Sequence, residues 1–172
     1  MTSALDTILS RSAGSGEVPG VVAMVADRDG VFYEGAFGVR RLGEAAPMTT
    51  DTVAWIASMT KAIATVALLQ LVEEGRVALD APAATYCPEI GAAGLLHDFD
   101  AEGRPLTRPP ARPVTVRHLL THTSGYSYDF ASSAIRKYMK ATGLPPTNSG
   151  LLASLGAPLI GEPGEAFIYG IS

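Results

Sequence analysis

Cysteine occurs once in this 172-residue chain, at Cys87, so no internal disulfide can form. Free cysteines pack as small hydrophobes, and Cys87 is read as inert packing rather than as a reactive thiol. Charge is sparse: Lys+Arg number 13 and Asp+Glu 17, a net charge of −4. With no block of basic residues, the chain lacks the electrostatic footprint of a nucleic-acid or anionic-membrane partner. Long apolar runs are missing too. The longest helix-like one, Ala62 to Val72, is too short to span a bilayer and contains Gln70. Residues 1–20 carry polar and acidic side chains where a signal peptide needs an apolar stretch. A cytoplasmic protein is the expectation.

Hydrophobic residues make up 47% of the chain, enough for a packed core in about one domain. Val21 to Ala26 is a β-branched apolar run, Asp27-Arg28-Asp29-Gly30 is turn chemistry, and Val31 to Val39 resumes with Val, Phe and Tyr. Two such runs around an Asp-Gly turn predict a β-hairpin over about 21–39. Arg41 to Thr50 connects it to the next element. From about Met59 to Glu74 the pattern becomes helical, with Ile63, Val66, Leu69, Leu71, Val72 and many alanines apolar on most sides. That predicts a buried helix over about 59–74, stopped by Gly75. Phe99 to Pro113, rich in Pro, Arg and Gly, predicts a surface loop. Thr115 caps a short helix from Val116, Ser132 to Thr142 predicts another, and Gly143 to Gly164 is loop-rich. Strand signals are scarce after residue 40, although an apolar helix needs a sheet to bury it.

The chemistry concentrates at Ser58-Met59-Thr60-Lys61, the front of that helix. Residues three apart share a helical face, so the Ser58 hydroxyl and the Lys61 amine can meet. A serine hydroxyl is a weak nucleophile until a base takes its proton. Burial in apolar surroundings, here Trp55, Ile56, Ala62 and Ile63, favours a neutral lysine amine. A helix N-terminus adds unpaired N–H groups that stabilise developing negative charge. Taken alone, Ser-x-x-Lys is more often a helix cap followed by a solvated lysine. Only three lysines occur, however, and Lys137 and Lys140 lie in a polar helix, whereas Lys61 opens an apolar one.

Three ordered segments carry a family resemblance. They are Trp55-Ile56-Ala57-Ser58-Met59-Thr60-Lys61 with Leu71 to Gly75 and Leu79-Asp80, then Val114 to Gly125, then Glu162 to Gly170. Together they resemble the serine β-lactamase-like superfamily, and within it the class C β-lactamase-related esterases, or family VIII carboxylesterases. The resemblance implies an α/β (α+β) β-lactamase/transpeptidase-like fold, an antiparallel sheet with packed helices, incomplete at the C-terminus. Residues 1–172 would be the N-terminal portion of one catalytic domain, with helical and loop structure over 80–172. It implies Ser58 as the acylated nucleophile, Lys61 as its partner, and Tyr169 as the tyrosine whose oxygen moves protons. Tyrosine and lysine form a coupled pair, and which holds the proton is left open.

Two departures qualify the resemblance. The β-lactamase and peptidase pattern has asparagine two residues after the tyrosine, where Ile171 stands, and the only asparagine is Asn148. Loss of that amide favours ester substrates. The family's later strands, with a Lys-Thr-Gly-like or Trp-x-Gly-like segment, follow the tyrosine and are absent here.

Other motifs fail. No Gly-x-Ser-x-Gly elbow occurs. His118 and His122 have a zinc-compatible spacing, but Leu119 stands where the usual glutamate would, and no third ligand is evident. Asp98, Asp100 and Glu102 are read as a solvated acidic loop. The expectation is a serine esterase cleaving small carboxylic esters through an acyl-enzyme on Ser58, with no metal or organic cofactor. Its partners would be a small-molecule ester and its own C-terminal portion. The alternatives are a β-lactamase, D-aminopeptidase, DD-peptidase or acyltransferase of the same fold, or a catalytically silent binding protein.

Overall fold

A computed structural model describes residues 2–172 and divides them into two compact units, one running to Ala57 and the other from Ser58 to Ser172. The first holds helix α1 (Thr2–Gly14) and an antiparallel hairpin of β1 (Gly20–Asp27) and β2 (Gly30–Gly38). Asp27 builds the turn: its Oδ1 accepts from the backbone N–H of Asp29 at 2.8 Å and of Gly30 at 3.2 Å. An aspartate that imitates a backbone turn in this way explains why the Asp-Gly signal was legible. Helix α1 was not anticipated. It is tied to β2 by buried Tyr33, whose hydroxyl donates to Asp6 Oδ1 at 2.9 Å.

The second unit holds α2 (Met59–Glu73), a hairpin of β3 (Leu95–Phe99) and β4 (Pro105–Arg108), α3 (Val116–Leu120) and α4 (Ser133–Thr142). Its core is built from Val77, Ala83, Leu95, Val114, Val116, Tyr126 and Leu159, with Leu68, Leu71 and Val72 of α2 packed on it. Leu159 is wholly buried because its backbone extends β3: Leu96 N–H donates to Leu159 O at 2.8 Å, and Leu159 N–H donates to Gly94 O at 2.9 Å. Helix ends follow local chemistry. Thr115 and His118 form a reciprocal capping box on α3, Ser132 caps α4, and Gly143 closes α4 at φ 74°.

Three expectations need correction. The segment 99–113 is not all loop, because Pro105–Arg108 pairs with Leu95–Phe99; proline survives there as the first residue of a strand. The acidic cluster closes that hairpin, with Arg104 Nε 2.6 Å from Asp100 and its Nη2 3.0 Å from Glu102. Helix α2 is not buried all round: none of its residues is fully buried, and Ile63 and Val66 are 64% and 59% exposed. Only the Leu68-Leu71-Val72 stripe meets the core, so the opposite apolar face lies uncovered among the described residues. Cys87 is exposed rather than packed inside, and its thiol donates to Glu89 Oε2 at 3.2 Å. The carboxylate favours the protonated thiol and pushes its pKa up. Among the described residues no helix is long and apolar enough to cross a membrane.

Candidate active site

The site begins with a backbone irregularity. Ala57 sits in the left-handed region at φ 46°, a conformation costing an ordinary L-residue roughly 1–2 kcal/mol. The next residue, Ser58, already has helical angles (φ −69°, ψ −10°), and its carbonyl accepts from Lys61 N–H at 3.1 Å. A serine at a helix start ordinarily turns its hydroxyl back onto the backbone. Ser58 makes no such capping bond. Its Oγ instead meets Tyr169 Oη at 2.6 Å, a separation short even for two hydroxyls.

Lys61 lies one turn into α2, yet its hydrogen bond is not to Ser58. Its Nζ donates to Tyr128 Oη at 2.7 Å and stands 5.3 Å from the ring centroids of both Tyr128 and Tyr169. The expected apolar cage is therefore replaced by an aromatic one. Trp55 and Ile63 are largely exposed, and the faces near the ammonium are phenol rings, whose quadrupoles attract a cation. The structure brings together Ser58, Lys61 and Tyr169, with the phenol rather than the amine on the serine.

Two loops deliver the tyrosines, and backbone contacts hold them together. Ile160 N–H donates to Gly125 O at 2.8 Å, Gly164 N–H to Thr123 O at 2.7 Å, and Ile168 N–H to His122 O at 2.7 Å. Gly125 has φ 91°, and a Cβ there would run into the carbonyl oxygen of Gly161. A Cβ at Gly170 would likewise meet the carbonyl of Tyr126. Buried Ser124 adds a side-chain bond, its Oγ 2.6 Å from that of Ser172. The small residues of Thr123-Ser124-Gly125 and Tyr169-Gly170 are thus needed for two backbones to touch. Ile171, in the slot where the β-lactamase pattern has asparagine, packs against the hydrophobic core.

Two residues around the site escaped the sequence reading. Tyr128 is the hydrogen-bond partner of Lys61, and its ring stacks on exposed Phe130 at 4.8 Å. The only signal was its place three residues after Gly125, which no periodicity marks. His122 was weighed only as a metal ligand beside His118. The structure separates the two: His118 Nδ1 accepts from Thr115 N–H at 3.2 Å within the α3 cap, whereas the His122 ring lies 4.7 Å from that of Tyr169.

Chemically, the arrangement offers a hydroxyl at a helix start, a phenol positioned to exchange its proton, and a cation over the phenol ring. A β-lactamase family model matches residues 5–170. The chain is 37% identical over 171 residues to a lovastatin esterase of Penicillium rubens, covering 96% of this chain and 43% of that protein. It is 34% identical over 173 residues to a monacolin J acid methylbutanoyltransferase of Aspergillus terreus, covering 96% of this chain and 42% of that one. The unliganded structure of simvastatin synthase from Aspergillus terreus superposes with a TM-score of 0.81 at 34% identity, over 99% of this chain and 45% of that one. The chain thus spans less than half the length of the relatives it matches.

Proposed function

Because the chain belongs to the β-lactamase family, whose members among its relatives include an esterase and acyltransferases, we propose that it is the nucleophile-bearing part of a serine esterase for small carboxylic esters. Ser58 would be the acylated residue. The observation carrying this reading is the 2.6 Å contact between Tyr169 Oη and a Ser58 Oγ that caps nothing. Tyr169, starting as a phenolate whose charge the Lys61 ammonium balances, accepts the Ser58 proton as Oγ attacks the ester carbonyl. The tetrahedral oxyanion forms beside the start of α2, where the Ser58 N–H can donate to it. Collapse of that adduct expels the alkoxide, which takes the proton back from Tyr169. Water repeats the sequence on the acyl-enzyme, giving up its proton to the phenolate and releasing the acid. Small-ester specificity is supported by Ile171, whose side chain turns to the core and leaves no amide where the β-lactamase pattern has one.

Labelling with an activated organophosphonate tests the proposal in the intact polypeptide that carries residues 1–172. Ser58→Ala should abolish the covalent adduct, and Tyr169→Phe should slow it about 10²–10⁴-fold, the usual worth of a positioned base. Full labelling of Ser58→Ala would remove Ser58 from the mechanism.

A second reading, acyl transfer to an alcohol, is favoured by the Aspergillus terreus relative, a methylbutanoyltransferase. The same ester assay run with an added alcohol separates the two. Formation of a new ester at the expense of free acid marks a transferase.

A further inference from the structure

We propose that His122 is a positioning residue for this reaction, its neutral imidazole serving as the wall that aims the Tyr169 phenol at Ser58. The inference rests on the reading of Ser58 and Tyr169 given above. No metal enters it, and the imidazole does not itself carry the proton of the reaction.

The backbone of His122 is left-handed, with φ 55°, a conformation uncommon outside glycine that asparagine, aspartate and histidine adopt more readily than other residues. It follows directly on α3, where it reverses the chain so that carbonyl and ring both face the segment carrying Tyr169. The carbonyl accepts from Ile168 N–H at 2.7 Å, one residue before the tyrosine. The ring lies 4.7 Å from that of Tyr169, tilted at 53°, and 5.7 Å edge-on from that of Phe167. One residue therefore fixes the segment through its backbone and the phenol through its side chain. Tyr169 is 39% exposed, with the Tyr128 ring 5.6 Å away as a second wall, and the closer imidazole removes freedom that would let the phenol swing off Ser58.

Neutrality is built into the geometry. His122 Nδ1 is buried without a hydrogen-bond partner. A lone pair there is tolerable, whereas an N–H or an imidazolium would bury an unsatisfied donor. Burial, and then the Lys61 ammonium, push the pKa of His122 below its ordinary 6.5. Lys61 and Tyr169 are the ionisable groups that act on the ring, and Tyr128 lies against Tyr169, its ring 5.6 Å away. Nδ1 has no acceptor within hydrogen-bond reach, so protonation buries an unsatisfied N–H there, expels the imidazole and frees the phenol. The sign follows: activity holds above the depressed pKa and falls as pH drops through it.

The test uses the intact polypeptide with a p-nitrophenyl ester, measuring kcat, KM and the pH profile for three variants. His122→Asn keeps the left-handed preference and removes the ring. It should lower kcat by up to about a hundredfold, the usual cost of a reacting group misplaced by 1 Å. KM should stay within about threefold, and the acidic step of the profile should disappear. His122→Phe keeps an aromatic wall without nitrogens; it should restore much of kcat and also lack the acidic step. Should His122→Phe fail to fold, the kcat and pH results of His122→Asn decide alone. A His122→Asn enzyme with wild-type kcat, or one keeping the acidic step, overturns the inference. Ser58→Ala run in parallel separates the two levels: undiminished turnover there defeats the reading of Ser58 itself, whereas a dead Ser58→Ala beside a fully active His122→Asn defeats only the role of His122.

Discussion

Tyr128 and Tyr169 are chemically the same side chain, yet each is bound to a different member of the Ser-x-x-Lys pair. Tyr169 holds the hydroxyl and Tyr128 holds the amine. Removing the Tyr128 hydroxyl leaves Nζ with three protons and one fewer acceptor in a site walled by rings. The ammonium then loses the anchor that fixes it 5.3 Å from the centre of the Tyr169 ring. Tyr128→Phe should accordingly lower kcat by roughly tenfold, the equivalent of about 1.4 kcal/mol for one charge-assisted hydrogen bond, with a smaller change in KM. Steady-state kinetics on a p-nitrophenyl ester check this, and an unchanged kcat would reduce Tyr128 to a bystander. At this scale the sequence was informative where residues are bound by helical spacing and silent where they are not. Ser58 and Lys61 are three apart on one helix, whereas the Tyr169 contact spans 111 residues and the Tyr128 contact 67. Only a family motif, never periodicity, pointed to Tyr169, and no motif covered Tyr128.

Among the elements, those whose ends are made by side chains were readable. Thr115, Ser132 and Asp27 each satisfy backbone N–H groups locally, and helices α3 and α4 and the first hairpin lie where such residues place them. The second hairpin was missed because its strands are short and one opens with proline, so the run from Phe99 to Pro113 resembled a loop. Beyond its own β3–β4 pairing, that hairpin is docked by the parallel bridge between Leu95 and Leu159, a tertiary contact with no local signature. Leu159 is also the largest apolar commitment of the region, with no exposed surface. Leu159→Ala should destabilise the second unit by about 2–5 kcal/mol, the range for emptying a fully packed leucine site. Urea unfolding followed by tyrosine fluorescence measures it, and a loss below about 1 kcal/mol would show that the bridge, not the side chain, holds the strands.

For the whole molecule, the informative mismatch is α2. Its composition asks for burial on nearly every side, and the described residues supply it on one stripe. Ile63 and Val66 belong to the uncovered face, together with Met59. Exposed apolar surface of this extent marks an interaction surface or an aggregation liability. The 172-residue chain should therefore bind the dye ANS at neutral pH. The double change Ile63→Lys, Val66→Glu should reduce that binding while leaving the far-ultraviolet circular dichroism in place. Equal dye binding by both proteins would locate the apolar surface elsewhere. The helix was legible from sequence because its pattern is strong. Its exposure was not, because hydrophobicity records what a helix demands and not what a given stretch of chain provides.

The contacts at Gly125 and Gly170 set main chain against main chain, so the path of the backbone that carries Tyr169 depends little on the identity of surrounding side chains, and the His122 ring is left to aim the phenol. Phe130 and Phe167, both largely exposed at the rim, are bound by no such constraint. A molecule made this way can exchange its rim residues while the two loops stay in register.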